Sequence, residues 1–92
     1  MPSLTVKLLA EFLGTLLLVL SVFASGGNWA AIAITLGFIV YLVGPLSGAC
    51  VNPAIAIASA VNGSISVLEA LQFIGAEVAG GLVAVYSYRF LA

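Results

Sequence analysis

Two features of the sequence place polar chemistry inside apolar stretches. Glu11 lies within a long apolar run, and residues 47–56 contain Asn52 followed directly by Pro53. Asn is a favoured N-cap and Pro suits the first position of a helix, so a helix of roughly 13 Å is predicted to begin there and continue to about residue 61. A helix N-terminus carries partial positive charge and unpaired N–H groups. The chemistry expected at this point is contact with neutral polar solutes rather than cations.

The composition indicates a membrane protein. Of 92 residues, 64% are hydrophobic, and only two basic and three acidic residues are present. Five charges are too few to cover the surface of a compact soluble domain, and a soluble fold of this size would expose aggregating apolar patches. Lys7 and Arg89 are the two basic residues, and they cannot form the basic stripe that nucleic acid requires. Nucleic-acid binding is therefore excluded.

The apolar pattern predicts three membrane spans and one shorter segment. A bilayer core of about 30 Å needs roughly 20 apolar residues per helix, which fits residues 4–24, 29–45 and 65–90. Residues 46–62 are apolar but broken by proline and glycine, so they are expected to enter the membrane and turn back. Non-helical backbone at residues 45–51 then implies a water-filled path. The prediction is an all-α membrane protein, a single unit of residues 1–92 with three transmembrane helices and one re-entrant half-helix.

The first apolar run also allows a second interpretation, a secretory signal peptide. Lys7 precedes the run, and residues 22–24 resemble a small-residue cleavage site. Glu11 at the entry to the apolar stretch, together with the spans that follow, argues against that interpretation.

The sequence lacks the residue types that common catalytic and metal sites need. The chain has no histidine and one cysteine, Cys50, which excludes a Cys/His zinc site, a Ser-His triad and an intramolecular disulfide. Cys50 is expected to be a packing residue, with a cross-link between two chains or a lone thiol as alternatives. No catalytic residue, cofactor or metal ligand is predicted, and the protein is not expected to be an enzyme.

Three stretches, in this order and spacing, resemble the first half of an aquaporin, a member of the major intrinsic protein family. They are Ala10-Glu11-Phe12-Leu13-Gly14-Thr15, Gly44-Pro45-Leu46-Ser47-Gly48-Ala49-Cys50-Val51-Asn52-Pro53-Ala54 and Leu71-Gln72-Phe73-Ile74-Gly75-Ala76. In that family, two inverted halves each supply three spans and one half-helix. The asparagines of the half-helices meet in the middle of the membrane and donate to permeating water or glycerol.

The resemblance assigns roles to residues. Those expected to line the pore or contact solute are Asn52, Pro53, Ala54, Gly48, Ala49 and Cys50. Those expected to support the re-entrant loop are Glu11 and Gln72. Those expected to allow close helix packing are Gly14, Gly75 and Gly80. The spacing agrees for packing, because Gly80 belongs to small-xxx-small pairs, and Glu11 and Gly14 share one helix face with Thr15, Leu18 and Val22.

The sequence departs from the family pattern in three respects. The 92 residues match one half, without the second Asn-Pro-Ala copy and the arginine that follows it. Ile55 follows the triplet here, and Cys50 stands where the family usually has histidine. By analogy with other pores, a wider and less polar constriction is expected, favouring glycerol-sized neutral solutes.

Half a pore leaves a polar face toward lipid and needs a partner. Lys7 and Arg89 are expected on opposite sides of the membrane, so the positive-inside rule imposes no orientation. We expect copies that insert both ways and pair as an antiparallel homodimer or a higher homo-oligomer, or else pairing with a complementary half. The bilayer and water or small neutral solutes are the other partners. Glu77, near the middle of its span, is expected to face the pairing seam, either protonated and donating across it or ionised and lining water.

Two other functions remain open from the sequence. One is a proton-coupled small multidrug transporter, which is also a short dual-topology dimer with a first-span carboxylate such as Glu11. The other is a non-conducting truncated piece that packs against a full-length relative.

Overall fold

A computed structural model, which describes residues 2–91, contains four α-helices. They are α1 (Leu4–Ala24), α2 (Trp29–Ser47), α3 (Pro53–Val61) and α4 (Val67–Leu91). Three of them, α1, α2 and α4, are long and apolar enough to cross a membrane, whereas α3 has only nine residues. The predicted class, three spans and one half-helix, is confirmed. Residues 1 and 92 of the predicted unit lie outside the described residues.

The helices α1 and α4 run parallel and α2 runs antiparallel to both. At one end of the bundle the Lys7 Nζ lies 3.6 Å from Glu69 Oε2, and at the other end the rings of Phe23 and Tyr88 are 5.9 Å apart. Helix α1 packs against α2 and α4, and α3 packs against α4. The molecule is 39 Å long, close to the thickness of about 40 Å for a bilayer with its headgroup regions.

Short polar side chains begin each spanning helix. Ser3 Oγ accepts from Val6 N at 3.2 Å before α1, and Asn28 Oδ1 accepts from Ala31 N at 2.9 Å before α2. Each cap satisfies one of the N–H groups that a helix start leaves without an intrahelical partner. Ser66 does the same for α4, which therefore begins at Val67, two residues later than the sequence predicts.

The prediction that α2 ends at Pro45 is wrong. The helix continues through Pro45 to Ser47, and Gly48 N donates to Gly44 O at 2.8 Å to close the last turn. A proline in the last turn removes a single N–H donor, and Gly48 ends the helix at a φ of 87°, which glycine adopts without steric cost. The non-helical segment is therefore residues 48–52, shorter than predicted.

Helices α1 and α4 meet along a seam of small and polar residues. A Cβ at Gly80 would overlap the Phe12 carbonyl oxygen and lie 3.2 Å from Leu16 N. Gly75 differs, since it is exposed and a Cβ there would meet nothing within 4 Å. Within one chain, Gly75 therefore makes no close helix contact, and its packing role stays a prediction. The contact of Gly80 with the Phe12 and Leu16 backbone lies in this α1–α4 seam. The buried residues of the two helices are Ala10, Glu11, Gly14 and Thr15 on α1 and Ala70, Phe73, Glu77, Gly80 and Ala84 on α4.

Candidate solute pathway

The five residues between α2 and α3, residues 48–52, form the re-entrant loop. Its backbone is strained, since Ala49 has a φ of 49° and Val51 a φ of 42°. The left-handed region is unfavourable for residues with a Cβ, above all for a β-branched side chain, and each such residue costs about 1–3 kcal/mol. Other contacts must therefore hold the loop in this shape.

The Glu11 side chain supplies those contacts. Its Oε1 accepts from Val51 N at 2.8 Å, and its Oε2 accepts from Cys50 N at 3.2 Å and from Ser47 Oγ at 2.5 Å. The side chain is fully buried, where a carboxylate is tolerated only with such donors. Ser47 Oγ also accepts from Ala49 N at 3.2 Å. Side chains thus bind three consecutive N–H groups of the loop.

Gly14 lets the loop approach α1. A Cβ at this position would lie 2.7 Å from Val51 Cγ1 and 3.1 Å from Ile39 Cγ2. Glycine therefore leaves the space that the Val51 side chain occupies, one turn from Glu11. Helix α1 contributes both the acceptor and the clearance that the loop requires.

Asn52 lies where the loop becomes helix α3. Its backbone is extended, with φ of −161° and ψ of 126°, and its Oδ1 accepts from Ala54 N at 2.8 Å while Pro53 occupies the first helical position. Capping uses only the carbonyl half of the amide. The residue is exposed, and Nδ2 donates to none of the described residues. A donor is thus left available at the positive end of the α3 dipole.

The carbonyl groups of the loop, unlike its N–H groups, are not bound by side chains of the described residues. Among residues 2–91, no backbone or side-chain donor reaches the carbonyl oxygens of residues 48–51. Helix α3 extends about 13 Å from the loop to its far end, which places these acceptors roughly halfway through a bilayer core. Carbonyls at that depth require water or another donor.

A cavity of about 400 Å³ connects one end of the bundle with the loop. Its mouth carries the Lys7–Glu69 ion pair, and Cys50 lies at its inner end, with its Sγ 3.9 Å from Ser59 Oγ. Hydroxyl groups of Ser47 and Ser59 also line it. A polar cavity of this size holds several water molecules, so it provides a wet approach to the loop.

Two of the predicted site residues take other positions. Gln72 is half-buried on α4, and its side chain makes no hydrogen bond with a described residue, so within one chain it does not support the loop. Glu77 does not face outward to a pairing seam but is 1% exposed inside the α1–α4 seam. The sequence alone did not assign Ser47 a role. A hydroxyl directly before the glycine that ends α2 was the available signal.

The part of the chain that the structure describes contains no group of three His, Cys, Asp or Glu side chains placed to hold a metal ion. The polar groups brought together at the loop are donors and acceptors of hydrogen bonds.

Comparison with known proteins places the chain in a family. The sequence model of the family described as "Major intrinsic protein" matches residues 2–91. Aquaporin-2 of Procavia capensis habessinica is 35% identical over 85 residues, which cover 80% of this chain and 78% of that sequence. The glycerol uptake facilitator protein-like 6 of Lactiplantibacillus plantarum is 36% identical over 86 residues, covering 85% of this chain and 40% of the relative.

Other relatives are considerably longer than the matched region. Aquaporin-2 of Ovis aries is 34% identical over 85 residues, and the alignment spans only 31% of its length. No solved structure gives a significant match. The family match over residues 2–91, together with three apolar spans, shows that this chain is a multi-pass membrane protein belonging to the major intrinsic protein family.

Proposed function

We propose that the chain is one half of a membrane channel through which water or small neutral solutes such as glycerol pass down their gradients. The observation that carries the proposal is the Nδ2 of Asn52, which donates to none of residues 2–91 and lies at the start of α3, directly after backbone carbonyls that accept no hydrogen bond from those residues. The names of the relatives, aquaporin-2 and a glycerol uptake facilitator-like protein, support the same class of solute.

The geometry suits a hydroxyl-bearing solute. Its oxygen accepts from Asn52 Nδ2, and its O–H donates to a carbonyl oxygen of residues 48–51. The solute thereby replaces the water that these groups need at this depth. The positive end of the α3 dipole repels cations at the same point. Cys50 at the inner end of the cavity is smaller than histidine and less polar, which favours glycerol-sized solutes over water alone.

The second wall of the channel is, in this proposal, an inverted copy of the same chain. One copy leaves Asn52 exposed, and a polar group exposed at the membrane midplane needs a partner surface or water. Lys7 and Arg89 lie at opposite ends of the bundle, because α1 and α4 are parallel. One basic residue at each end allows insertion in both orientations, which supplies the two inverted copies.

Permeability of reconstituted liposomes tests the channel. Vesicles with purified protein are exposed to sucrose, glycerol and urea gradients, and their shrinkage and re-swelling are followed by light scattering. We expect glycerol and water flux that Asn52→Asp lowers about tenfold, because aspartate retains the cap but replaces the N–H donor with a negative charge.

Asn62→Asp is the matched control. Asn62 lies at the other end of α3, where its backbone N–H closes the last turn, so this variant adds the same charge outside the loop and is expected to retain wild-type flux. Equal permeability of wild type and Asn52→Asp would contradict the role of Asn52.

Orientation mapping tests the pairing separately. Reporters fused to each terminus are expected to be found on both sides of the membrane. A single orientation for all molecules would exclude pairing of identical copies and leave a complementary half as the second wall. Absence of flux together with association to a longer relative would favour the non-conducting subunit.

The proton-coupled transporter is less well supported. Such a carrier needs a first-span carboxylate that exchanges protons with substrate, whereas Glu11 is fully buried and accepts from three donors. Flux that requires a proton gradient would nevertheless favour it.

A further inference from the structure

Glu77 is a buried carboxyl group without a hydrogen-bond donor. It lies on α4 inside the α1–α4 seam and is 1% exposed, and neither Oε1 nor Oε2 has a partner with hydrogen-bond geometry among the described residues. An ionised carboxylate in that situation carries a desolvation cost that nothing offsets. The surroundings therefore favour the neutral acid, which has an O–H to donate.

The groups that face Glu77 are an acceptor and a donor. Its carboxyl lies against the carboxyl of Glu11 and near the backbone N–H of Asn52. A carboxylate offers about four lone-pair positions, and Glu11 uses three of them, for Ser47 Oγ, Cys50 N and Val51 N. The N–H of Asn52 has no partner with hydrogen-bond geometry among residues 2–91. One position on Glu11 and one N–H of the loop are therefore still open.

A protonated Glu77 can bind both the open acceptor position of Glu11 and the N–H of Asn52. Its O–H donates to the remaining lone pair of Glu11, and its carbonyl oxygen accepts from Asn52 N. We propose that Glu11 and Glu77 form a buried proton-binding site in which Glu77 carries the proton, and that this acid is a positioning residue for Asn52. The site deepens the proposed channel function, since the asparagine it orients is the one that contacts solute.

The remaining charged and titratable groups do not compensate for loss of that proton. Lys7 is paired with Glu69 at the mouth of the cavity, α3 carries no titratable side chain, and Tyr41 of α2 is exposed on the outer surface. The Cys50 thiol in the loop is within electrostatic range of the glutamates. Deprotonation would therefore leave two adjacent negative charges and no cation, which destabilises the loop as the pH rises.

Infrared spectroscopy tests the proton directly. Wild-type protein in liposomes at neutral pH is expected to show the C=O stretch of one buried carboxylic acid, which disappears at alkaline pH. Glu77→Gln should lack that band, and Glu69→Gln, the control, should retain it. An absent acid band in wild type, or one that persists in Glu77→Gln, would overturn the proposal. An absent band in wild type overturns the proposal even if Glu77→Gln does not fold.

The position of the loop is tested through Cys50, the single cysteine of the chain. A membrane-permeant maleimide is used to measure the labelling rate of wild type and of Glu77→Gln at each pH. The ratio of the two rates cancels the ordinary pH dependence of the thiol. We expect the ratio of the wild-type rate to the Glu77→Gln rate to be near one while the acid band is present. After the band is lost, wild type is expected to label about tenfold faster, which matches the loss of one hydrogen bond to a charged group.

A ratio that stays constant across the pH range would also overturn the proposal. Neither readout depends on conduction, so failure of the channel proposal and failure of the proton site are distinguishable. Where flux is present, wild-type permeability is expected to fall at alkaline pH while that of Glu77→Gln remains constant.

Discussion

Helices α1 and α2 are similarly long and apolar, yet they have different structural roles. Helix α1 buries four residues, including Glu11 and Thr15, whereas Ile39 is the one residue of α2 that is buried in the described chain. The outer surface of α2 carries large apolar groups, among them Ile34 and Tyr41, which is 79% exposed. Helix α1 therefore builds the loop and its support, and α2 presents a surface to lipid or to another chain.

The difference teaches that hydropathy does not decide which helix lies inside. Lipid tails are as apolar as leucine, so no hydrophobic force drives one spanning helix against another. Close approach at Gly14 and Gly80 and the hydrogen bonds that Glu11 accepts provide the contacts instead. A small and polar face identifies the inner helix.

The largest expected effect comes from removing the acceptor on α1. Glu11→Leu would leave the N–H groups of Cys50 and Val51 and the Ser47 hydroxyl without their partner, at about 1–3 kcal/mol each. We expect a loss of about 3 kcal/mol or more in the free energy of unfolding, measured in mixed detergent micelles. Leu9→Ala, on the exposed face of α1, is the control; a similar loss in both would contradict the contrast between the two faces.

Filling the space at Gly80 in the α1–α4 seam should have the next largest effect on stability. Gly80→Ala places a methyl group against the Phe12 backbone, which cannot move without separating the helices, and we expect about 2 kcal/mol of destabilisation. Gly75→Ala is the matched control, because its methyl group enters open space and alanine favours helix. Thermal unfolding of both variants measures the difference. Equal melting temperatures would refute the close approach at Gly80.

Gly14→Ala should cost less, since the methyl group meets a side chain rather than backbone. The new Cβ would lie 2.7 Å from Val51 Cγ1, so the Val51 side chain must rotate away. We expect the free energy of unfolding to fall by about 1 kcal/mol. Val51→Ala in the same background restores the space. A double-mutant cycle on unfolding free energies should therefore give a combined loss smaller than the sum. Strict additivity would mean that the two residues do not touch.

Substitutions on the outer surface of α2 should have the smallest effect. Tyr41→Ala and Phe38→Ala are expected to change the free energy of unfolding by less than about 0.5 kcal/mol, because both side chains are exposed. Unfolding at several protein-to-lipid ratios sharpens the comparison. A loss that grows with protein concentration would place α2 in the interface between paired copies instead of in lipid.

Local rules in the sequence predict most of the fold. The apolar run predicts α1 with its observed limits, and Asn52 with Pro53 predicts the start of α3. Pro45 misled the prediction of the end of α2, because the cost of proline depends on its place in the helix, and only Gly48 with its positive φ marks the end.

The site is less accessible to such rules. A carboxyl in an apolar run predicts that Glu11 has partners, but which donors it binds depends on a loop backbone in an unusual conformation. Glu77 was expected at a seam between copies because nothing in its own span indicates a partner. Its neighbour Glu11 is 66 positions away in the chain and becomes visible only when α1 and α4 are parallel.

The left-handed conformation of Val51 has a consequence for biogenesis. Ala56 of α3 packs in a buried cluster with Phe73 of α4, the last of these four helices to leave the ribosome, while the acceptor for the loop is on α1, the first of them. During insertion α3 lacks its packing surface until α4 has arrived. The strained Val51 backbone relaxes as long as either α1 or α4 is missing. Folding of the pathway is thus completed only after α4 has entered the bilayer.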